Sequence, residues 1–264
     1  MKVFEGKTLR VLFDPPLSGF ENMSRDEVLW EGLAESEVLV LRFFQWREKT
    51  LSVGRFQKTE EIDRDYLKCH CIPLVRRPTG GRAILHDEEV TLSLVLPGNE
   101  LSPRQSYEAL KQVLRDALER VGVAVDGEVV NVPPYLASPA CFSLTFPHEL
   151  TVRGKKIAGI AQARGREGSL FQISLPLFID REQFASCFRK KNVVLEELER
   201  NFVSLSELGF DGRRRASIER KIVESFHRQW GVEIKEDEWK KEEENRNQML
   251  LREKYSLSSY HEER

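Results

Sequence analysis

RRPTGGRAILHD, residues 76–87, sets two guanidinium groups ahead of an adjacent glycine pair and follows them with the apolar start of a strand. CIPLV before it (71–75) and ILHDEEVTLSLVLPG after it (84–98) are rich in β-branched and aliphatic residues, so the whole segment reads as two strands around a Gly-Gly turn. Two glycines without Cβ atoms let backbone come close to a ligand, so such a turn can cradle an acyl group or an anion. On composition alone it reads equally as a surface β-turn flanked by arginines.

Upstream, KTLRVLFD (7–14) predicts a strand, PPLSG punctuates, and GFENMSRDEVLWEGLAE (19–35) predicts an amphipathic helix. EVLVLRFFQW (37–46) and TLSVGRFQ (50–57), separated by the polar Arg47-Glu48-Lys49, read as a hairpin. TEEIDRDYLKC (59–69) has helical composition, with Thr59 placed as its N-cap. Downstream, SPRQSYEALKQVLRDALERVG (102–122) predicts a helix with Ser102 and Gln105 as a capping box, Pro103 at its first position and Gly122 at its end. HELTVRGKKIAGIAQARGREGSLFQISLPL (148–177) alternates as a second hairpin after an irregular loop. Beyond about residue 180 the pattern turns helical and then highly charged, which divides the chain into a main domain over 1–185 and a helical extension over 186–264.

The 264 residues carry 41 basic and 43 acidic side chains, a net charge of -2, so nothing in the balance calls for nucleic acid or an anionic membrane. The start lacks a signal-type apolar run, and no stretch reaches the roughly 20 apolar residues that span a bilayer, so a cytoplasmic protein is expected. Four cysteines, at 69, 71, 141 and 187, are too few and too unevenly spread for a disulfide framework.

Cys141 stands in the Pro-rich loop NVPPYLASPACFSL (131–144), from which a thiol can reach substrate. Lys156, opening the strand KIAGIAQ, is a cation able to return to that loop and lower the thiol pKa. Residue chemistry alone leaves open the plainer reading, an inert buried thiol and a surface lysine. His86 reads as a core histidine, although it and His148 can each approach Cys141 in a fold. Cys69 and Cys71 around His70 suggest zinc only superficially: adjacent strand residues face opposite ways and no second ligand cluster completes a tetrahedron, so no metal site is expected. Cys187 falls in a helical pattern as packing. The basic GRRRASIERK (212–221) suits either an acidic partner or solvent.

RRPTGGRAILHD resembles the lipoate branch of the lipoate ligase, octanoyltransferase and biotin ligase superfamily, with its Arg-Arg-x-x-Gly-Gly segment ending in His-Asp. PLSGFENMSRDEVL, LRFFQW, LSVGRFQ, SPACF, GKKIAGIAQAR, SLSELGF and LLREKYS resemble successive blocks of lipoate-assembly octanoyltransferases, in order and across nearly the whole chain. The resemblance implies an α+β fold, a biotin/lipoate ligase-like catalytic domain with mixed and antiparallel sheets flanked by helices and a small C-terminal helical appendage.

It also implies an acyltransferase that carries octanoyl as a thioester on Cys141, with Lys156 as its catalytic partner. Arg76, Arg77, Gly80, Gly81, His86, Gly159 and Gln162 would line the acyl site, the two arginines meeting the incoming carrier. The donor would be acyl carrier protein, and the acceptor a lysine of a lipoyl domain or of glycine-cleavage H protein. No cofactor is then required; ATP and Mg enter only in the alternative of a lipoate-protein ligase, whose members generally lack the loop cysteine. Phe171, Gln172, Ile173 and Ser174 depart from the Gln-His-Gly-Ser usual in the carrier-dependent group and lean towards transferases that move octanoyl between lipoylated proteins. If Ile173 lines the acyl tunnel it narrows or reshapes it. A non-catalytic binder of acyl groups or lipoyl domains is the third reading.

Overall fold

The structure is a computed structural model and describes residues 4–34, 38–98, 101–127, 139–141, 149–211 and 214–262. Strand β1 (Thr8–Leu17) leads into helix α1 (Gly19–Glu31), whose start is fixed by a reciprocal capping box between Ser18 and Glu21. β2 (Leu39–Trp46), β3 (Thr50–Val53), α2 (Arg64–Cys69), β4 (Leu74–Arg76), β5 (Ile84–His86) and β6 (Glu89–Pro97) follow. Helix α3 (Pro103–Arg120) begins where the sequence places it, on Ser102, Gln105 and Pro103. Then come β7 (Thr151–Val152), β8 (Lys155–Lys156), β9 (Gly159–Arg164), β10 (Gly168–Pro176), α4 (Arg181–Ser186), α5 (Lys191–Asn201), α6 (Arg215–Trp230), β11 (Glu233–Glu236), α7 (Lys241–Leu250) and α8 (Ser258–Glu262).

Six strands form one sheet in the order β11-β1-β2-β6-β10-β9, parallel across β11-β1-β2 and antiparallel beyond. Its side chains alternate between two faces, as the period of a strand requires. Leu41, Phe43, Leu92, Leu94, Phe171 and Ile173 meet α3 and α6, where Leu110, Leu114, Ile222, Phe226 and Trp230 complete the principal core. Each fully buried side chain of this kind stabilises the fold by roughly 1.5–3 kcal/mol.

The opposite face joins apolar side chains, Leu12, Val40, Val95 and Leu170 packed with Leu29 and Leu33, to a buried polar centre. Arg42, wholly buried, reaches Asp14 at 2.7 Å and Asp26 at 2.6 Å, and Asp26 also accepts from Ser93 and Gln172. Burial raises the Asp26 carboxyl above its ordinary pKa despite Arg42 and the Gln172 and Ser93 hydrogen bonds. Gln172 in turn accepts from Thr79 at 2.6 Å, so this network ties α1 and the central strands to the loop that carries the glycine pair.

The two short-range pairings expected from the sequence are not made. β2 lies between β1 and β6, and β3 lies between β4 and β5 in a separate three-stranded sheet, so residues 47–49 pass between sheets instead of closing a hairpin. All four residues of β3 and the first six of β2 are buried, which suits strands flanked on both edges better than the open edges of an isolated hairpin. β4 and β5 likewise do not pair with each other. They flank β3, one parallel and one antiparallel, and the Gly-Gly loop arches over the end of β3. At the crossing a Cβ on Gly54 would lie 2.0 Å from the Gly81 carbonyl oxygen, so only glycine permits that approach. Asp63, not Thr59, caps α2; the Thr59 hydroxyl instead donates to the Glu262 carbonyl and accepts from Arg64.

Within the second expected hairpin, residues 151–176 do form antiparallel arms, divided into the small β7-β8 ladder and the long β9-β10 pair. From residue 186 onward the chain supplies α5 to a second core with β3 and β5, α6 to the principal core, β11 to the large sheet, and α7 and α8 against α1 and β4. Among the described residues no helix is long and apolar enough to cross a membrane.

Candidate active site

Backbone bonds place Cys141 against the segment that leaves the glycine turn. Ala83 donates to the Pro139 carbonyl at 3.1 Å and Cys141 donates to the Ala83 carbonyl at 2.8 Å, forming a short parallel bridge. The Gln57 side chain donates to the same Pro139 carbonyl at 2.9 Å, anchoring this stretch to the loop after β3. Ala140 is buried in the second core, which leaves the next side chain, Cys141, half-buried at its margin.

The glycine turn is braced from beneath by Arg77. Its Nη2 donates to the Gly80 and Arg82 carbonyls at 2.8 and 2.7 Å, and its Nη1 donates to Ser52 Oγ at 3.1 Å. Gly81 has φ of +90°, and a Cβ there would meet Arg77 Nη2 at 2.9 Å, so both conformation and space call for glycine. Burial lowers the Arg77 pKa to about 10, partly offset by Cys141. Its Nε has no hydrogen-bond partner among the described residues.

Lys156 comes from the other side. The tight Arg153-Gly154 turn pairs Thr151 with Lys156 and folds β8 back so that the Lys156 ammonium donates to the Glu149 carboxylate and lies 3.9 Å from Cys141 Sγ and 3.4 Å from the Cys141 carbonyl oxygen. The side chain is buried. Burial works to lower its pKa, yet Cys141 and Glu149 outweigh it and hold the amine above the usual lysine range. Tyr107, from α3, is raised by burial and by Glu149, and so stays a neutral phenol beside them.

Cys141 stands where two cavities meet. One is an apolar pocket of about 430 Å³ beneath the sheet, walled by Met23, Phe44, Trp46, Ile84 and Ile160. His86 stands in its wall, stacked on Trp46 at 3.9 Å and held between Ser52 Oγ and Glu89, each at 2.7 Å. The other is a polar cleft of about 1100 Å³ open to solvent, lined by Arg82, Arg104, Tyr107, Glu149 and Lys156. Gly81 and Ile160 line both cavities, as Cys141 does. The pocket is narrow and its walls are almost wholly apolar, a shape that suits one slender apolar chain.

The structure thus brings Cys141, Lys156, Arg77, Gly81, His86, Gly159 and Gln162 to the walls of these two spaces, with Gly80 contributing its carbonyl to Arg77. Arg76 stands apart. It is buried, its guanidinium donates to the Gly54, Gln57 and His261 carbonyls, and its amide donates to His261 Nδ1, so it fastens α8 to β4 and does not reach the surface. Ile173 faces the principal core, pairs with Ile160 across β10 and β9, and borders the pocket. His148 lies outside the described residues. Cys187 is buried and its thiol pKa is pushed up to about 12, first by burial and then by Asp63, while Cys69 and Cys71 are exposed.

Sequence reasoning passed over Glu149, Tyr107 and Trp46. Glu149 carried a signal, since a turn at Arg153-Gly154 returns whatever precedes Thr151 towards Lys156. Trp46 carried none, because its role depends on β2 and β5 meeting across two sheets.

A model of the lipoyl protein ligase A/B catalytic domain matches residues 18–227. Octanoyltransferase LipM of Exiguobacterium sp. is 36% identical over 234 residues, 77% of this chain and 83% of that protein. Octanoyltransferase LipM of Clostridioides difficile is 32% identical over 97% of this chain and 98% of its own length. Among solved structures, the bipartite lipoate protein ligase of Thermoplasma acidophilum superposes with a TM-score of 0.81 at 19% identity, over 98% of this chain and 96% of that one. Lipoate-protein ligase A bound with ATP gives 0.81 at 20% identity over 98% and 99%. At those identities the structures speak to fold alone, a lipoate protein ligase-like α+β arrangement, and the sequences carry the assignment: this chain belongs to the lipoyl protein ligase A/B catalytic family, among its octanoyltransferases.

Proposed function

We propose that this enzyme moves an octanoyl group, in the cytoplasm, from the phosphopantetheine thioester of acyl carrier protein to a lysine of a lipoyl-accepting protein, through a thioester on Cys141. The observation that supports it best is the place of Cys141 Sγ, between a narrow apolar pocket and an open polar cleft, with the Lys156 ammonium 3.9 Å away.

The octanoyl chain fills the pocket and brings its carbonyl carbon to Sγ. The thiolate, paired with Lys156, attacks; opposite charges at that distance attract by about 4 kcal/mol at an effective dielectric near 20. The new C–S bond forms to give a tetrahedral intermediate, from which the donor's C–S bond breaks, and the departing pantetheine thiolate takes a proton from water in the open cleft. Arg77, its Nε without an acceptor, supplies a buried positive charge for the oxyanion of the tetrahedral intermediate. The acceptor lysine then enters by the cleft and attacks the thioester, leaving an amide and regenerating Cys141. Thioester to thioester to amide runs downhill, so ATP has no part in this scheme.

Incubation with octanoyl-carrier protein, read by intact mass, tests the reading. An octanoyl adduct that disappears in Cys141→Ser is the expected result. No adduct, together with ATP-dependent modification of a lipoyl domain that survives in the variant, overturns it in favour of a ligase; inertness in both assays leaves a binder.

A further inference from the structure

The acceptor lysine poses a problem that Cys141 and Lys156 do not solve. It arrives as an ammonium ion, which is not a nucleophile, at a site already holding the cations Lys156 and Arg77, with Arg82 and Arg104 along the cleft. Lys156 is a poor proton acceptor, because Cys141 and Glu149 hold it above the ordinary lysine range against the pull of burial. Acylation removes the Cys141 negative charge but leaves Glu149 in place.

We infer that Glu149 is a catalytic residue of the amide-forming step, receiving the acceptor's ε-ammonium in the cleft and accepting its first proton. This rests on the transferase reading above. Glu149 is suited to the task by position: it lines the cleft, it touches Lys156, and Lys156 touches Cys141, so its carboxylate is one side chain removed from the thioester. The groups facing it are Lys156 from β8, Tyr107 and Glu108 from α3, and Cys141. Glu108, the other carboxylate lining the cleft among the described residues, is bound to Lys111 at 2.7 Å. Tyr107 stays neutral.

The step balances as follows. One proton passes from the ε-ammonium to the Glu149 carboxylate, giving the free amine. Nitrogen bonds to the thioester carbonyl carbon, the C–S bond breaks, and its electron pair returns to Cys141 Sγ beside the Lys156 ammonium. The second nitrogen proton leaves to water in the open cleft, and Glu149 releases its own proton there before the next turnover.

Single-turnover measurements on isolated octanoyl-enzyme, mixed with a lipoyl domain across a range of pH, test the assignment. In Glu149→Gln, amide formation should slow by about 10²–10⁴-fold near neutral pH, far more than loading of Cys141. The deficit should shrink as pH rises and free amine becomes abundant, and Glu149→Asp, which keeps the ion pair with Lys156, should recover part of the rate. Equal losses in loading and transfer, or an unchanged pH profile, would reduce Glu149 to a holder of Lys156 and overturn the inference. Failure of the wild-type enzyme to load at all would instead overturn the transferase reading itself.

Discussion

The apolar pocket and the polar cleft share Cys141, Gly81 and Ile160, yet they are built on opposite rules. The pocket lies within the fold, between the two sheets, and its polar groups are committed to one another: His86 to Ser52 and Glu89, Trp46 to Glu89, Thr79 to Gln172. Such a space selects by shape. The cleft is wide, lined by charges, and open to solvent, which suits the proposed exchange of two macromolecules in turn. In the proposed scheme the acyl group stays in one space while donor and acceptor exchange in the other, with Cys141 on the boundary between them.

Removing Lys156 should injure the cleft side most. Lys156→Ala takes the cation from Cys141 and leaves the Glu149 carboxylate without its ion-pair partner, so thioester formation should fall by about 10²–10³-fold, as when one electrostatic donor is lost from an acyl-transfer site. Losing one partner of a buried ion pair also costs roughly 3–5 kcal/mol of stability. Rapid-quench measurement of octanoyl-enzyme, with a urea melt beside it, separates the two effects. Lys156→Arg should restore stability more than rate, because a planar guanidinium does not reproduce the compact ammonium. Rate and stability recovering together would show that Lys156 acts only as a strut.

Gly54→Ala strikes the boundary without touching a reacting group. The new Cβ would lie 2.0 Å from the Gly81 carbonyl oxygen, so the glycine turn must move, with Arg77 and the Ala83–Cys141 bridge attached to it. Overpacking of this kind costs roughly 1–3 kcal/mol, and displacement of about 1 Å at a reacting centre costs about 10²-fold in rate. Loading and transfer should fall together, unlike the split expected at Glu149. An alanine enzyme with normal rates would mean that the approach of Gly54 to Gly81 has no bearing on the site.

How far the sequence foretold this boundary depended on sequence distance. Local signals were legible: Ser102, Pro103 and Gln105 start α3, and the alternation through β9 and β10 marks an antiparallel pair. Long-range pairing was not, because nothing within TLSV says whether its partner is the preceding strand or two strands more than twenty residues on. Cys141 and Lys156 came from ordered family blocks, since residue chemistry alone slightly favours an inert thiol and a surface lysine. Arg76 and Arg77 are adjacent in sequence and alike in charge, yet one fastens the C-terminal helix and the other braces the turn, a distinction made only by alternation across β4 and by what packs on each side.

The smallest effect is expected deep in the pocket, at Glu89. Its carboxylate accepts from His86, Trp46 and Thr91 through one oxygen and from Ser174 through the other. Burial alone would raise its pKa, but His86 and these hydroxyls win and hold it below the ordinary 4.5. A carboxyl depressed in the folded state contributes stability that is fully present above its unfolded pKa and lost as pH falls through the folded value. Glu89→Gln keeps the shape but not the charge, so it should cost about 1.5–3 kcal/mol at neutral pH, the worth of hydrogen bonds to a charged group. The difference from wild type should close on acidification below about pH 4.5, where the wild-type carboxyl begins to gain its proton. Urea unfolding of both proteins between about pH 7 and pH 3 reads that difference directly. Octanoyl loading should change only a few-fold, because Glu89 steadies the pocket wall through His86 and Trp46 and has no contact with Cys141. A stability difference that stays constant with pH would show that the network works through packing and not through charge, and a large loss of loading would place Glu89 nearer the chemistry than the separation of pocket from cleft allows.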